Sequence, residues 1–374
     1  MKCKYSEYCG GCSMLDIDIG SQLKLKTKSV KELFEPLTSN VTDCFGDYYP
    51  LKYRNKIHLC FSELKGKTLI GFYEENSIKV TDLDSCLLFG DWALKLIAIL
   101  REYVSRFKIR PYNRISGTGI LRYAHARCIN NRIQLTLVAV TENFGGRDWL
   151  YDKLKETFTE VSLYLNINKR TDHAVLSDNA KFVKGSKYLK FNFAGVETSI
   201  VPNSFLQVNL SIAEKMYKEA INMLSIDEKT TVVDLYSGIG VTSIMFSKLA
   251  GNVIAIEEVS SATENAKYMA KLNNAKNIKV LTGKCENMMA QVHASDNMVV
   301  FTDPARAGME KSVIDALLNL SPRKIVYMSC NPETCFRDIK QLVSDNRYKI
   351  NIVKPYNMFP YTEHLELLCE LERV

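Results

Sequence analysis

From Thr231 onward the chain alternates short apolar runs with helix-patterned stretches, and this alternation narrows the possible folds more than any other feature. Strand-like runs at Thr231–Tyr236, Val253–Ile256, Lys279–Leu281, Met298–Thr302 and Ile325–Ser329 are separated by helical patterns, among them Ile244–Leu249 and Ala262–Leu272. Strands joined through helices run parallel, so the pattern predicts a doubly wound α/β domain that binds its ligand at the C-terminal ends of its strands. The run Asp234-Leu235-Tyr236-Ser237-Gly238-Ile239-Gly240 closes the first of these strands and opens the next helix. Gly238 and Gly240 allow a tight turn and a close approach of backbone to ligand. A two-glycine turn alone is often only a βα loop. Here Glu257 ends the following strand, where an acid can accept both ribose hydroxyls of an adenosine. The third glycine of a dinucleotide fingerprint and the Gly-Lys-Ser/Thr of a phosphate-binding loop are both missing. S-adenosylmethionine (SAM) fits this pattern better than NAD or ATP. A further acid, Asp303, ends another strand in Thr302-Asp303-Pro304-Ala305-Arg306.

The texture before this domain is different. Leu15 to Leu37 reads as a helix with Lys24, Lys26, Lys28 and Lys31 on its polar side, stopped near Pro36. From Cys44 to Ile200 short β-rich runs follow one another, interrupted by a helix through Trp92–Phe107, which predicts a mostly antiparallel sheet. At Pro202-Asn203-Ser204 the pattern changes, and Leu210, Ala213, Met216, Tyr217, Ala220 and Leu224 form an amphipathic helix leading into the second domain. The expected division is residues 1–200 and 201–374, and 374 residues leave room for both. No apolar run approaches the ~18–20 residues of a membrane helix. The first residues, Met1 to Glu7, lack the apolar segment of a signal peptide. A cytoplasmic, monomeric protein without membrane contact is the expectation.

Charge separates the two halves. Residues 1–200 hold 30 Lys and Arg against 22 Asp and Glu, and residues 201–374 hold 19 against 20. Arg101, Arg106, Lys108, Arg110, Arg114, Arg122, Arg127 and Arg132 are interleaved with Tyr103, Phe107, Tyr112 and Tyr123, and Glu102 is the one acid among them. Cations draw a polyanion and aromatic faces stack on unpaired bases, so the window reads either as a nucleic-acid surface or as a solvated basic face over core aromatics. The asymmetry between the halves favours nucleic acid.

Eleven cysteines without a secretory signal are not a disulfide framework. Cys44, Cys60, Cys128, Cys285, Cys330, Cys335 and Cys369 are scattered, as small buried hydrophobes are. Cys3, Cys9 and Cys12 are not: they read C-x5-C-x2-C with Gly10-Gly11 inside the tighter pair. A fourth thiolate is needed for a tetrahedral zinc or a cubane cluster, and Cys86 is the best-placed partner. Zinc knuckles come as two close C-x2-C pairs, so three plus one favours an iron–sulfur cluster, with zinc or unrelated thiols as alternatives.

Met328-Ser329-Cys330-Asn331-Pro332 places Cys330 at the active edge of the sheet, and Glu363 and Glu366 lie on the closing stretch Met358–Glu366. A thiolate and a carboxylate beside a methyl donor suit covalent activation of a pyrimidine. Uracil C5 is a poor nucleophile until a thiolate adds to C6, and a base must later remove the C5 proton. A lone cysteine in that place would more simply be a buried strand end.

With these residues in view, the chain resembles the SAM-dependent RNA 5-methyluridine methyltransferases over essentially its whole length. The likeness runs through the cluster cysteines, Tyr53-Arg54-Asn55-Lys56, Ser204-Phe205-Leu206-Gln207-Val208-Asn209, the Gly238/Gly240 turn, Asp303-Pro304, Ser329-Cys330-Asn331-Pro332 and Phe359–Glu366. The resemblance implies a class I (Rossmann-like) SAM-dependent methyltransferase domain joined to an N-terminal and central β-rich RNA-binding domain that carries a 4Fe–4S cluster. It implies Cys330 as nucleophile and Glu366 as proton-abstracting base, with Glu363 at a variable position. It also implies SAM contacts from Gln207, Tyr236, Glu257 and Asp303, and cluster ligation by Cys3, Cys9, Cys12 and Cys86. Val241 stands where many members have Asn, and Ala305 replaces the second Pro of Asp-Pro-Pro-Arg. A layout opening at the cluster without a preceding β-barrel (TRAM) domain resembles the RlmC-type branch acting on 23S rRNA, and tRNA-modifying relatives share the catalytic motifs. The rivals are a cytosine-C5 RNA methyltransferase, whose extra thiol is absent at Thr302-Asp303-Pro304, and a non-catalytic iron–sulfur RNA-binding protein.

Overall fold

The structure, a computed structural model, describes residues 2–170, 175–177 and 180–374. The chain divides into two compact units: Met1–Asp16, Pro50–Phe191 and Ser199–Val208 form one, and Ile17–Tyr49, Asn192–Thr198 and Asn209–Val374 form the other. Helix α1 (Ile19–Phe34) is capped by Asp18, whose carboxylate accepts the Ser21 N–H at 3.0 Å. Its Val30 and Phe34 are buried in the core of the second unit with Tyr327, Ile339 and Val353. The helix near the front of the chain therefore folds with the C-terminal residues, and the division differs from the expected cut between 200 and 201 by Ile17–Tyr49 and Asn192–Thr198, which join the second unit, and by the extension of the first unit to Val208.

In the first unit, β1 (Lys56–Leu64), β2 (Lys67–Tyr73), β3 (Val80–Asp82), β4 (Leu121–Ile129), β5 (Arg132–Ala139), β6 (Glu160–Ile167) and β7 (Ala180–Gly185) make one sheet in the order 3-2-1-4-5-6-7. Lys65-Gly66 and Asn130-Asn131 all have positive φ, the two-residue turn that matches the twist of the hairpins β1–β2 and β4–β5. Every neighbouring pair is antiparallel except β5 and β6. Those two are parallel because helix α3 (Arg147–Thr157) carries the chain back between them. Helix α2 (Asp91–Arg106) buries Ala93, Leu96, Ile97, Leu100, Tyr103 and Val104, a stripe at helical spacing.

This packing corrects the reading of the basic window. Tyr103 and Tyr123 are core residues, and Arg122 and Arg127 are buried. Arg101 pairs with Asp82 at 2.7 Å, and Arg132 donates to the Lys190 carbonyl. Arg106, Lys108 and Arg110 are the exposed cations of the window. Composition alone cannot show that two of these arginines face inward from β4.

Strands β8 (Leu189–Phe193) and β9 (Val196–Ile200) pair as a hairpin. Helix α4 (Leu210–Leu224), capped by Asn209, opens the main part of the second unit. There β10 (Thr231–Leu235), α5 (Val241–Ser247), β11 (Asn252–Glu257), α6 (Ser260–Leu272), β12 (Ile278–Thr282), α7 (Cys285–Met288), β13 (Met298–Thr302), α8 (Lys311–Leu320), β14 (Lys324–Ser329) and α9 (Pro332–Leu342) follow in turn. The sheet closes with β15 (Tyr348–Tyr356) and β16 (Glu366–Arg373), giving the order 12-11-10-13-14-16-15. The first five strands of that order are mutually parallel, and β16 is antiparallel to both its neighbours. The chain leaves β10 towards β11 and β12 on one side and returns to β13 on the other. That reversal opens a crevice at the C-terminal ends of β10 and β13, the place where such sheets bind ligands. Among the described residues no helix is long and apolar enough to cross a membrane.

Candidate functional site

The crevice is lined first by the loop after β10. Tyr236 has φ +59°, Gly238 +54° and Gly240 +81°, so three of five consecutive residues adopt left-handed backbone. A non-glycine residue held there is uncommon and marks a turn whose geometry is dictated from outside. At Gly238 a Cβ would meet nothing within 4 Å, so this turn leaves open space beside its backbone. Glu257, at the end of β11, fixes the turn: one carboxylate oxygen accepts the Gly238 N–H at 2.9 Å and the other the Val259 N–H at 2.8 Å. Each oxygen keeps a lone pair for a further donor such as a ribose hydroxyl. The Tyr236 ring packs against the core of the unit, and burial raises its phenol pKa.

Below the turn lies Asp234, fully buried. One oxygen accepts from Thr242 Oγ1 at 2.8 Å and from the Ser243 hydroxyl, while Oδ1 has no partner among the described residues. Burial pushes its pKa up to about 7, against the two hydroxyl donors. Asp303, one residue past β13, is likewise pushed up to about 7 by burial, with the Asp234 charge adding to it. Tyr217 of α4 is buried within electrostatic reach of Asp303, Glu366 and Asp234.

Register brings the two proposed catalytic groups together. Ser329 of β14 stands opposite Leu367 of the antiparallel β16. One step outward on each strand puts Cys330 beside Glu366. Antiparallel partners sit roughly 4.5–5.5 Å apart at Cα, so a thiol and a carboxyl here act on one small region. Cys330 is half-buried, and burial with the charges of Glu366 and Asp303 pushes its thiol up to about 11; the Arg306 cation opposes this. Glu366 is 2% exposed and its Oε2 has no partner among the described residues. Burial, then Asp303, raises its carboxyl well above the usual range.

The segment from Asp303 to Met309 is held from α9. Asp338 is fully buried and accepts from the Met309 N–H at 2.7 Å and the Tyr327 hydroxyl at 2.8 Å. Asn331 and Thr334 both donate to the Arg306 carbonyl at 3.1 Å. Gly308 has φ +79°, and a Cβ there would stand 2.5 Å from an Asp338 oxygen. Asp338 carries no local motif and sequence reading passes over it, while Tyr217 is read only as part of the apolar face of its helix.

Gln207 belongs to the first unit, where it is buried and its carbonyl accepts from Asn55 Nδ2 at 2.9 Å. The same unit contains Cys3, Cys9, Cys12 and Cys86. Tyr5 donates to Asp84 at 2.7 Å and accepts the Asp84 N–H, Lys4 pairs with Asp84, and Cys9 bridges to Glu74. These ties lay the N-terminal loop beside residues 84–86. Burial pushes the Cys12 thiol up to about 11, with the Cys86, Cys9 and Cys3 charges contributing and Arg54 opposing. Cys86 is raised by burial and feels Cys9 and Cys3. Among the described residues no set of three or more His, Cys, Asp or Glu side chains is gathered tightly enough for a single metal ion.

Comparison with known proteins bears on this arrangement. The family described as tRNA (Uracil-5-)-methyltransferase matches residues 148–374. An uncharacterized RNA methyltransferase of Caldanaerobacter subterraneus subsp. tengcongensis is 33% identical over 380 residues, spanning 100% of this chain and 84% of its own. Another, from Listeria innocua, is 31% identical over 376 residues and spans 99% and 83%. Among solved structures, Pyrococcus abyssi tRNA (uracil-54, C5)-methyltransferase in complex with S-adenosyl-L-homocysteine aligns with TM-score 0.80 and 27% identity, over 97% of this chain and 84% of that one.

Proposed function

For a chain that belongs to the tRNA (uracil-5-)-methyltransferase family, and so is a SAM-dependent RNA methyltransferase of the uracil-C5 type, we propose a covalent mechanism through Cys330 and Glu366. The observation that carries it is the β14–β16 register, which sets thiol and carboxyl side by side at the ligand-binding edge. The Cys330 thiol loses its proton, favoured by the Arg306 cation, and its sulfur adds to uracil C6, leaving the electron pair on C5. SAM, when bound, supplies the electrophilic methyl group that C5 takes up. Glu366 then removes the C5 proton, the C6–S bond breaks, and the pyrimidine double bond re-forms as Cys330 leaves with its electron pair. The balance is uridine plus SAM giving 5-methyluridine, S-adenosylhomocysteine and one proton.

The residues around the crevice suit a cationic, adenosine-bearing ligand. Glu257 keeps acceptor capacity for ribose, Gly238 leaves space beside the backbone, and buried Asp234 and half-buried Asp303 offer negative charge. Tyr236 and Gly240 complete the proposed set within this unit. In the first unit, Cys3, Cys9, Cys12 and Cys86 would hold a 4Fe–4S cluster. A single zinc needs all its sulfurs about 2.3 Å from one centre, whereas a cubane takes each thiolate on a separate iron and so accepts a wider set. Uridine methylation requires no electron, so the cluster's proposed role is structural.

The substrate we propose is 23S rRNA, with tRNA as the second reading because of the likeness to a tRNA (uracil-54, C5)-methyltransferase. The test uses the unmodified protein, Cys330→Ala and Glu366→Gln with SAM and each RNA. The unmodified protein forms 5-methyluridine, mapped in rRNA or tRNA. Cys330→Ala forms neither adduct nor product. Glu366→Gln accumulates a methylated RNA–protein adduct. Full activity of Cys330→Ala would overturn the mechanism, and an adduct trapped by Glu363→Gln in place of Glu366→Gln would reassign the base.

A further inference from the structure

The stretch between β15 and β16 delivers Glu366, and within it almost no regular structure holds the backbone: Tyr361 has φ +66° although it is buried. What holds it comes from α1. Lys26, 3% exposed, donates from Nζ to Asn357 Oδ1 at 2.7 Å, to the His364 carbonyl at 2.6 Å and to the Phe359 carbonyl at 3.4 Å. One turn earlier, fully buried Gln22 accepts the Tyr361 N–H at 3.0 Å through Oε1 and donates to the Ile17 carbonyl at 2.7 Å. Residues 22 and 26 lie on one helix face, four apart. An ammonium has three protons, and here three neutral oxygens take them. Among the described residues no carboxylate is a hydrogen-bond partner of Lys26, and burial lowers its pKa to about 8. A buried ammonium is costly in a core, and side-chain packing alone would be served as well by a methionine. The ammonium gathers the front (Asn357), the middle (Phe359) and the end (His364) of one segment on a single atom. Its last partner, His364, is two residues before Glu366.

We infer that Lys26 is a positioning residue for the proton-abstraction step: its ammonium, assisted by Gln22, clasps residues 357–364 so that the Glu366 carboxyl meets the C5 proton. The inference rests on the proposed role of Glu366. Lys26 itself touches neither substrate nor reacting atom. Thiol addition and methyl transfer depend on the β14 tip and the β10 crevice, so loosening the clasp slows elimination and leaves the earlier steps intact.

The experiment follows the full-length protein with SAM and substrate RNA. Lys26→Met keeps the volume and removes the donors. Its kcat should fall by roughly ten- to a hundredfold, the cost of a misplaced catalytic group. KM for RNA and SAM affinity should stay within about twofold, since uniform binding is not what is lost. A methylated covalent adduct should accumulate on ordinary uridine RNA. Trapping on 5-fluorouridine RNA, where no proton can leave, should proceed at the unmodified rate. A merely structural role would slow all steps together and leave no adduct. Gln22→Met removes the neutral hydrogen bonds to the Tyr361 N–H and the Ile17 carbonyl and leaves the Lys26 ammonium in place, so it is the milder variant, and it should show the same adduct in smaller yield. Turnover of both variants within about twofold of the unmodified protein, or slow turnover without adduct, overturns the clasp. If the unmodified protein fails to trap on 5-fluorouridine RNA, the covalent mechanism falls instead, so the two failures are distinct.

Discussion

In the first unit's sheet, Lys56 and His58 on β1 stand in register with Arg127 and His125 on β4, and the two imidazoles meet edge to face at 4.5 Å. No acid interrupts this row of bases. In the second unit's sheet the ionisable groups at the crevice include buried Asp234 and Glu366 and half-buried Asp303. Each sheet thus carries inside it the sign of charge that its half of the sequence has in relative excess. The acidic edge has a proposed complement, a sulfonium cofactor whose charge would offset the carboxylates. The basic row leaves Arg127 Nε and Nη1 and both histidine Nδ1 atoms without partners among the described residues. Arg127, a buried cation with those nitrogens unpartnered, costs the sheet stability, so the first unit depends on other sources of it. The cysteine set is the source proposed here.

The largest effect should therefore come from the metal. Anaerobically purified protein should carry about four irons per chain. Cys12→Ser should lose most of that iron and, with it, several kcal/mol of stability confined to the first unit, because a ligand that binds only the folded state stabilises by mass action. Hydrogen exchange resolved by segment would show β1, β2 and β3 losing protection while β10 and β13 keep theirs. Stoichiometric zinc in place of iron, or equal loss in both sheets, would break the contrast.

How much of this was legible beforehand depended on whether the signal was local. The parallel strands β10, β11, β12, β13 and β14 fall within one or two residues of the apolar runs that forecast them, since each is a short buried run bounded by turn residues. The position of Cys330 just past β14 was legible because it sits in a dense motif at a strand end, and Glu366 closes a motif that opens β16. Lys26 was not: read on the polar side of its helix, it is buried, and its partners lie 331 to 338 residues away. Asp338 escaped for the same reason, being an ordinary helix residue until the sheet folds against it, and Tyr217 was legible only as part of the apolar face of its helix. The basic window could not be sorted into buried and exposed cations beforehand, because charge is visible in a sequence and burial is not.

A smaller effect tests the signs directly. Burial lowers the His58 pKa to about 4, so protonating it costs stability in the folded state as pH falls below the ordinary value of 6.5. His125 is lowered in the same direction. Asp234 and Asp303 are raised to about 7 from 3.8, so their ionisation costs stability as pH rises from about 4 to 7, and acidification returns it. Between pH 7.5 and 5.5, without SAM, the first sheet should lose and the second gain on the order of 1 kcal/mol per group. Exchange protection corrected for intrinsic rates should move in opposite directions for β1/β4 and β10/β13. A common direction in both would show that the buried charges do not set the local stability.

The smallest expected effect separates arginines that meet RNA from those that do not. Arg110 is exposed while its carbonyl accepts the Ile120 and Leu121 N–H groups, so its backbone is fixed and only its guanidinium is free to sample the solvent. Arg127 lies inside the sheet at 2% exposure. A cation that neutralises one phosphate releases about one counterion, so its removal should lower the slope of log affinity against log salt by roughly 1. Arg110→Ala should do this, weaken RNA binding a few-fold at moderate salt, and leave SAM affinity unchanged. Arg127→Met should leave the slope alone, because a side chain sealed in the sheet holds no phosphate, and its thermal stability should hold or rise as an unpaired buried charge disappears. Filter binding across a salt series reads both variants. An unchanged slope for Arg110→Ala would make the exposed cations a solvated face, and a flattened slope for Arg127→Met would mean that the sheet opens to its RNA.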